Sequence, residues 1–264
     1  MAISSPVILV IGGAWHEPLC YGLLMTQIEA LGYECLVPRL PTVCGIRGLT
    51  WEADVAMIHE LVLPLFEQGK EVVICGHSYG GIPACAATEG LSVGDRLKAG
   101  QRGGFRAIIY MAGFAVPMKG MDLVETLGGV LPDWMSPELP LRKGNSLSRV
   151  KPEAKSIFYN DLPHEDAQEW YDRLVTHSQD AVEAPVQYVA ADLTMPRYYL
   201  ICELDRAILV VLQEQLVASI LGMRVRRIEA GHSPFLSQPG RTAELIVEMA
   251  QEAVMWGVEM GPRL

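Results

Sequence analysis

The chain has 264 residues, half of them hydrophobic, and a formal net charge of −10. That length holds one large α/β domain with a substantial core, but not two typical domains with linkers. No Lys/Arg cluster, charge run, repeat or low-complexity tract stands out, which speaks against nucleic acid and anionic membrane surfaces and for a small-molecule partner, with a homodimer left open.

Short strand-like runs recur at 7–11, 34–37, 72–75, 107–111, 198–202 and 223–228, most of them apolar throughout, as in parallel strands buried on both faces. Helical patterns lie between them. Leu24, Ile28 and Leu31 share a face that Gly32 closes, and Thr50 reads as an N-cap before Trp51, Val55, Ile58 and Val62. An apolar helix is expected over 82–89, another over 209–221, and a last one opening at Pro239. Segment 92–104 reads as a polar, Gly-rich surface loop. The alternation predicts a doubly wound, mainly parallel sheet.

The alternation breaks across 114–196, where Pro117, Pro132, Pro137, Pro140 and Pro163 interrupt short helical pieces and a bulky set including Trp134, Phe158, Trp170 and Tyr171. This predicts a core of 1–113 and 197–264 with a helical cap, 114–196, inserted between sheet strands over their C-terminal ends. Residues 1–15 show neither a basic n-region nor a small-residue cleavage site, so no secretory leader is expected. The six cysteines form no C-x-x-C pair and fall mostly in apolar patterns, which predicts free thiols and a cytoplasmic setting.

The most informative segment is Gly76-His77-Ser78-Tyr79-Gly80, entered from an apolar strand and left on an apolar helix. A G-x-S-x-G elbow holds a serine on a sharp, strained turn where its hydroxyl is exposed, so Ser78 is the expected nucleophile. A nucleophilic serine needs a base, and the base needs an orienting acid. Among six histidines, His232 follows the strand 223–228 just before the last helix, which makes it the expected base. His77 adjoins Ser78 but should turn away and pack. The acid should leave the end of an earlier strand, and 198–202 runs into Glu203-Leu204-Asp205, with Asp205 preferred and Glu203 the rival. One oxyanion N–H is expected from Tyr79, the residue after the nucleophile, and the second from the loop Gly12-Gly13-Ala14-Trp15-His16. Trp15, Trp134 and Phe158 are the expected pocket residues. No cluster has metal-ligand spacing, and no cofactor or metal is expected.

With these residues placed, the chain resembles the α/β-hydrolases, whose triad order Ser, Asp, His it shares, and within them the small methylesterase and hydroxynitrile-lyase group with its fungal and bacterial relatives. The resemblance rests on Gly13-Ala14-Trp15-His16, on 202–208, on Gly231-His232-Ser233-Pro234 and, for the microbial members, on Phe158-Tyr159-Asn160-Asp161. It implies an α/β-hydrolase fold, Ser78 as nucleophile, Asp205 as acid, His232 as base, and Ala14 with Tyr79 as the oxyanion donors. Two departures stand out. The family's oxyanion turn usually reads His-Gly, and Gly12 takes the His position here. The lyases of the group carry a Thr where this chain has Gly13 and a Lys where it has Ser233, and both help to bind cyanide, so cyanohydrin cleavage is disfavoured. The implied function is carboxylic-ester hydrolysis. The alternatives are a non-hydrolytic lyase or cyclase acting on a secondary metabolite such as a polyketide, and a small-molecule receptor on a hydrolase scaffold.

Overall fold

The protein is described by a computed structural model covering residues 5–260. Nine strands occur among them: β1 (Val7–Ile11), β2 (Cys35–Leu36), β3 (Glu71–His77), β4 (Gly104–Met111), β5 (Met135–Pro137), β6 (Leu147–Val150), β7 (His177–Ser178), β8 (Arg197–Cys202) and β9 (Arg224–Ile228). Six of them make one sheet in the order β2-β1-β3-β4-β8-β9, with every neighbouring pair parallel. The strands β1, β3, β4 and β8 are almost wholly buried, which is why they carry apolar residues at consecutive positions rather than alternating ones. Edge strand β9 instead carries Arg224, Arg226 and Arg227; Arg226 pairs with Glu252 of the last helix, and these charges discourage pairing with another sheet edge.

Strand order reverses between β1 and β3. The chain leaves β1 toward β2 on one side, then returns to place β3, β4, β8 and β9 on the other. Loops leaving the C-terminal ends of β1 and β3 therefore part in opposite directions and open a crevice, the position where doubly wound sheets bind ligands. Gly12–His16 follows β1 there, and Ser78 follows β3.

Several elements differ from the sequence expectation. The stretch between β4 and β8 is not purely helical: β5, β6 and β7 form a three-stranded antiparallel sheet beside the short helices Leu123–Thr126, Ala154–Phe158, His164–Asp172 and Asp180–Glu183. Strands of two to four residues are too short for alternation to register as a pattern. Segment 92–104 is not all loop. It holds the helix Val93–Lys98, capped by Ser92 Oγ accepting the Asp95 N–H at 3.0 Å, and Gly104 already opens β4. The helix after the elbow spans Gly81–Ala86 rather than 82–89, and the one expected over 209–221 spans Val210–Ala218. Thr50 stands at the N-cap of Trp51–Glu67 without a side-chain bond. All six cysteines are free thiols, and all but Cys44 are buried.

Candidate active site

The elbow forms because three backbones converge on it. Ser78 adopts φ = 52°, in the left-handed region, and opens a tight turn, Ser78–Gly80, that leads into the helix Gly81–Ala86. A non-glycine residue there is strained by about 1–2 kcal/mol. Side chains at Gly76 and Gly80 would collide with main chain: a Cβ on Gly76 would stand 2.6 Å from the Gly80 oxygen, and one on Gly80 2.4 Å from the Ile11 oxygen. The G-x-S-x-G spacing is therefore a packing requirement of β3, its helix and the end of β1. Phe114 N–H bonds the Ser78 carbonyl at 3.0 Å and fixes the turn from the third side.

His232 and Asp205 meet at the neighbouring strand ends. His232 Nδ1–H donates to Asp205 Oδ2 at 2.8 Å, and both side chains are buried. The second carboxylate oxygen accepts the N–H groups of Ala207 (2.7 Å) and Ile208 (3.0 Å), and Gln213 Nε2 adds a bond to Oδ2 at 3.3 Å. With only donors around it, the Asp205 carboxyl group acts as acceptor and orients the imidazole with Nδ1–H toward it. Glu203, the rival acid, is exposed and faces Arg227 at 3.4 Å. Gln213 was not visible in the sequence as a site residue, since a lone glutamine within an apolar helix pattern has no distinguishing signal.

His77 is fully buried, and its two ring nitrogens bond Tyr21 and the His232 carbonyl. Gly13 N–H donates to the Tyr21 hydroxyl at 2.8 Å, the Tyr21 O–H donates to His77 Nδ1 at 2.8 Å, and His77 Nε2–H donates to the His232 carbonyl at 3.0 Å. A Cβ on Gly12 would stand 3.1 Å from the Tyr21 ring, so the tyrosine occupies the room that a larger residue would take. A polar chain thus joins the turn after β1 to the backbone of His232. On the other side, His16 Nδ1–H holds the Ala14 carbonyl at 2.7 Å while its Nε2 accepts the Tyr159 hydroxyl at 2.9 Å. Burial keeps both supporting imidazoles neutral: it lowers His16 to about 4 and His77 well below the ordinary histidine range. Of these three clustered histidines, His232 alone is bonded to a carboxylate.

Tyr79 is anchored underneath. Its hydroxyl donates to Asp54 Oδ2 at 2.6 Å, and Asp54 also accepts the hydroxyl (2.8 Å) and amide (3.1 Å) of Thr42. Burial pushes the Asp54 carboxyl up to about 6.

Ala14, Ser78, Tyr79 and His232 border one small cavity, together with the expected pocket residues Trp15, Trp134 and Phe158. Its remaining walls are apolar, among them Phe114, Leu123, Met135 and Ile208. The aromatic wall is continuous: Trp15 stacks on Phe158 at 6.0 Å, Trp134 meets Phe158 edge-on at 5.0 Å, and Phe158 lies 5.5 Å from the His232 ring. No hydrogen bond joins Ser78 to His232 among the described residues; their shared cavity is what brings them together. Among the described residues no group of three or more His, Cys, Asp or Glu could hold a metal ion, and no helix is long and apolar enough to cross a membrane. A strained serine and a histidine bonded through Nδ1 to a carboxyl group, bordering one apolar cavity, are groups suited to acyl transfer or proton abstraction.

The chain belongs to the alpha/beta hydrolase family, whose model matches residues 8–245. It is 30% identical to the alpha/beta hydrolase nvfD of Aspergillus novofumigatus over 254 residues, 95% of this chain and 98% of that one. Among solved structures it is similar to a pyrethroid hydrolase from Sphingobium faniae JZ-2 (TM-score 0.72, 19% identity, 94% of this chain and 98% of that one). It is also similar to polyneuridine aldehyde esterase (TM-score 0.74, 17% identity, 94% and 100%), which accords with the methylesterase-like resemblance. At these identities the two structures share the fold.

Proposed function

We propose that this protein is a serine hydrolase that cleaves a carboxylic ester, lactone or thioester of a small, largely apolar molecule through an acyl-enzyme on Ser78. The observation that carries the reading is the buried Asp205–His232 bond at 2.8 Å, which leaves His232 Nε2 as the unprotonated nitrogen beside the cavity that Ser78 borders. Nε2 takes the Ser78 proton as Oγ bonds to the acyl carbon, and the Ala14 and Tyr79 amides hold the resulting oxyanion. Collapse breaks the bond to the leaving alkoxide or thiolate, which takes the proton from His232. Water then attacks the acyl-enzyme, yields its proton to Nε2, and the carboxylic acid leaves with Ser78 regenerated. Residues 114–196 serve as the cap over this site, and their aromatic wall favours apolar acyl or alkyl groups. The free thiols support a reducing compartment, the cytoplasm.

A second reading is favoured by the apolar cavity that His232 lines: His232 abstracts a proton directly from an apolar substrate, in a lyase or cyclase reaction without hydrolysis. A panel of acyl esters, thioesters and lactones assayed with wild type and Ser78→Ala separates the two. Ester hydrolysis that disappears with the serine supports the hydrolase. Turnover that survives in Ser78→Ala but not in a His232→Ala variant supports proton transfer.

A further inference from the structure

Four consecutive residues of the insertion reach the loops that follow β1, β8 and β9. Phe158 lies against the His232 ring at 5.5 Å. The Tyr159 hydroxyl donates to His16, which holds the carbonyl of Ala14. Asn160 Nδ2–H donates to the carbonyl of Leu204, the residue before Asp205, at 3.0 Å. Asp161 Oδ2 accepts the N–H of Gly231, the residue before His232, at 2.6 Å. The acid and base loops are also bonded to each other, through Leu204 N–H to the Ala230 carbonyl at 3.0 Å. Asn160 and Asp161 thus close a ring around the backbone that carries the Asp205–His232 pair.

Two further observations set this ring apart from ordinary loop packing. Gly231 does not occupy the left-handed region, so its backbone does not call for glycine. What requires glycine is the clamp: a Cβ there would stand 2.4 Å from Asn160 Oδ1 and 2.5 Å from Asp161 Oδ1. Those same two oxygens are buried with no hydrogen-bond partner, a desolvation cost that no local bond offsets. The arrangement keeps the bonds to Leu204 and Gly231 at the expense of the other oxygen of each side chain.

We propose that residues 158–161 are a positioning clamp, in which Asn160 and Asp161 lock the Asp205 and His232 loops into bonding register, so that seating the cap and assembling the acid–base pair are one event. The proposal rests on the pairing of Asp205 with His232 given above, though not on the reaction being hydrolysis. None of the four residues is given a chemical step; they act through the groups they hold.

The test uses the full-length protein and two readouts. The first is the low-field proton resonance of His232 Nδ1–H, assigned by its loss in Asp205→Asn. The second is kcat and KM on p-nitrophenyl butyrate. Asp161→Ala deletes the acceptor for Gly231, and Gly231→Ala pushes the clamp aside while removing none of its groups. In both variants the resonance should broaden and exchange with water at least ~10-fold faster, and kcat should fall by about 10²-fold, the scale of an ångström-level misplacement. Asp161→Asn keeps an oxygen for the Gly231 N–H and should return kcat to within about 10-fold of wild type. A resonance and kcat that stay at wild-type values in both variants would overturn the clamp, as would a fall in Tm with no change in the resonance. Should Asp161→Ala not fold, Gly231→Ala and Asn160→Ala give the same reading. Survival of turnover in Ser78→Ala would remove the hydrolase assignment while leaving the resonance test of the clamp intact.

Discussion

The six-stranded sheet and the insertion between β4 and β8 position their residues by different means. At the sheet's C-terminal edge the main chain does the work: Gly76 and Gly80 admit backbones within van der Waals contact, and Ser78 is held at φ = 52° by the crossing of β1, β3 and the helix Gly81–Ala86. In the insertion, side chains do it: Tyr159, Asn160 and Asp161 reach across to His16, Leu204 and Gly231, and Phe158 fills the space beside His232. Main-chain constraint leaves a fixed spacing of glycines. Side-chain constraint leaves single residues whose partners are far away in sequence. The Ser78 turn is built by the first kind, and the aromatic cavity wall and the contacts to Leu204 and Gly231 by the second.

The largest effect is expected at the acid. If strand-end geometry sets the machinery, Asp205→Asn should lower kcat by ~10⁴-fold with the fold intact, because the wrong imidazole tautomer results. Glu203→Gln should change kcat by only a few-fold, since Glu203 faces Arg227 at the surface. Steady-state kinetics on purified variants decide it, and the reverse ranking would move the acid to Glu203.

Within the insertion, Phe158 and Trp134 should behave differently although both border the cavity. Phe158 is 1% exposed and packs on Trp15, Trp134 and His232, so truncation to Ala should cost about 3–5 kcal/mol in chemical denaturation. Trp134 is only partly buried. Its replacement by Ala should leave stability nearer wild type and change the kcat/KM ratio between octanoate and butyrate esters by about 10-fold or more. Equal stability losses would assign both residues to the core.

The smallest effect concerns pH. His177 on β7 is fully buried against Tyr79 at 4.5 Å with neither ring nitrogen bonded, and burial lowers it to about 3. Like His16, at about 4, it is protonated first in the unfolded chain as pH falls below 6.5. Its contribution to stability is therefore complete above about pH 6.5 and is lost progressively as pH falls toward the folded value. Asp54, raised to about 6, runs the other way: the native state takes that proton first, so its contribution to stability grows as pH falls from 6 toward 4. The lowered histidines His16, His77 and His177 outnumber it, so Tm should drop on acidification from pH 6.5 to 4. His177→Leu should flatten that slope by about one proton, or ~1.4 kcal/mol per pH unit. An unchanged slope would show that His177 finds a bonding partner in solution.

The same division explains what could be read in the amino-acid order. The strand-to-helix turn at Ser78, the loop after β1 and the strand-end positions of Asp205 and His232, which the structure joins by a bond, were marked by the apolar runs that precede them. The parallel sheet was legible for the same reason. The small sheet β5-β6-β7 was not, since Met135–Pro137 and His177–Ser178 are too short to show a period. The helix Val93–Lys98 carried a signal, Ser92 three residues before Asp95, that a Gly-rich surrounding obscured. Gln213 and Tyr21 had none, and Asp161 stood out only within the segment 158–161 that carries a family resemblance: each works through a partner at least eight residues away, and only folding brings the two together.

Covalent chemistry on Ser78 is tested most directly by intact-protein and peptide mass spectrometry after reaction with a fluorophosphonate. A single adduct is expected, mapped to Ser78 in the peptide that spans β3 and the elbow, absent in Ser78→Ala and strongly slowed in His232→Ala. A wild-type protein that stays unmodified, or an adduct mapped to another residue, would contradict covalent chemistry on Ser78.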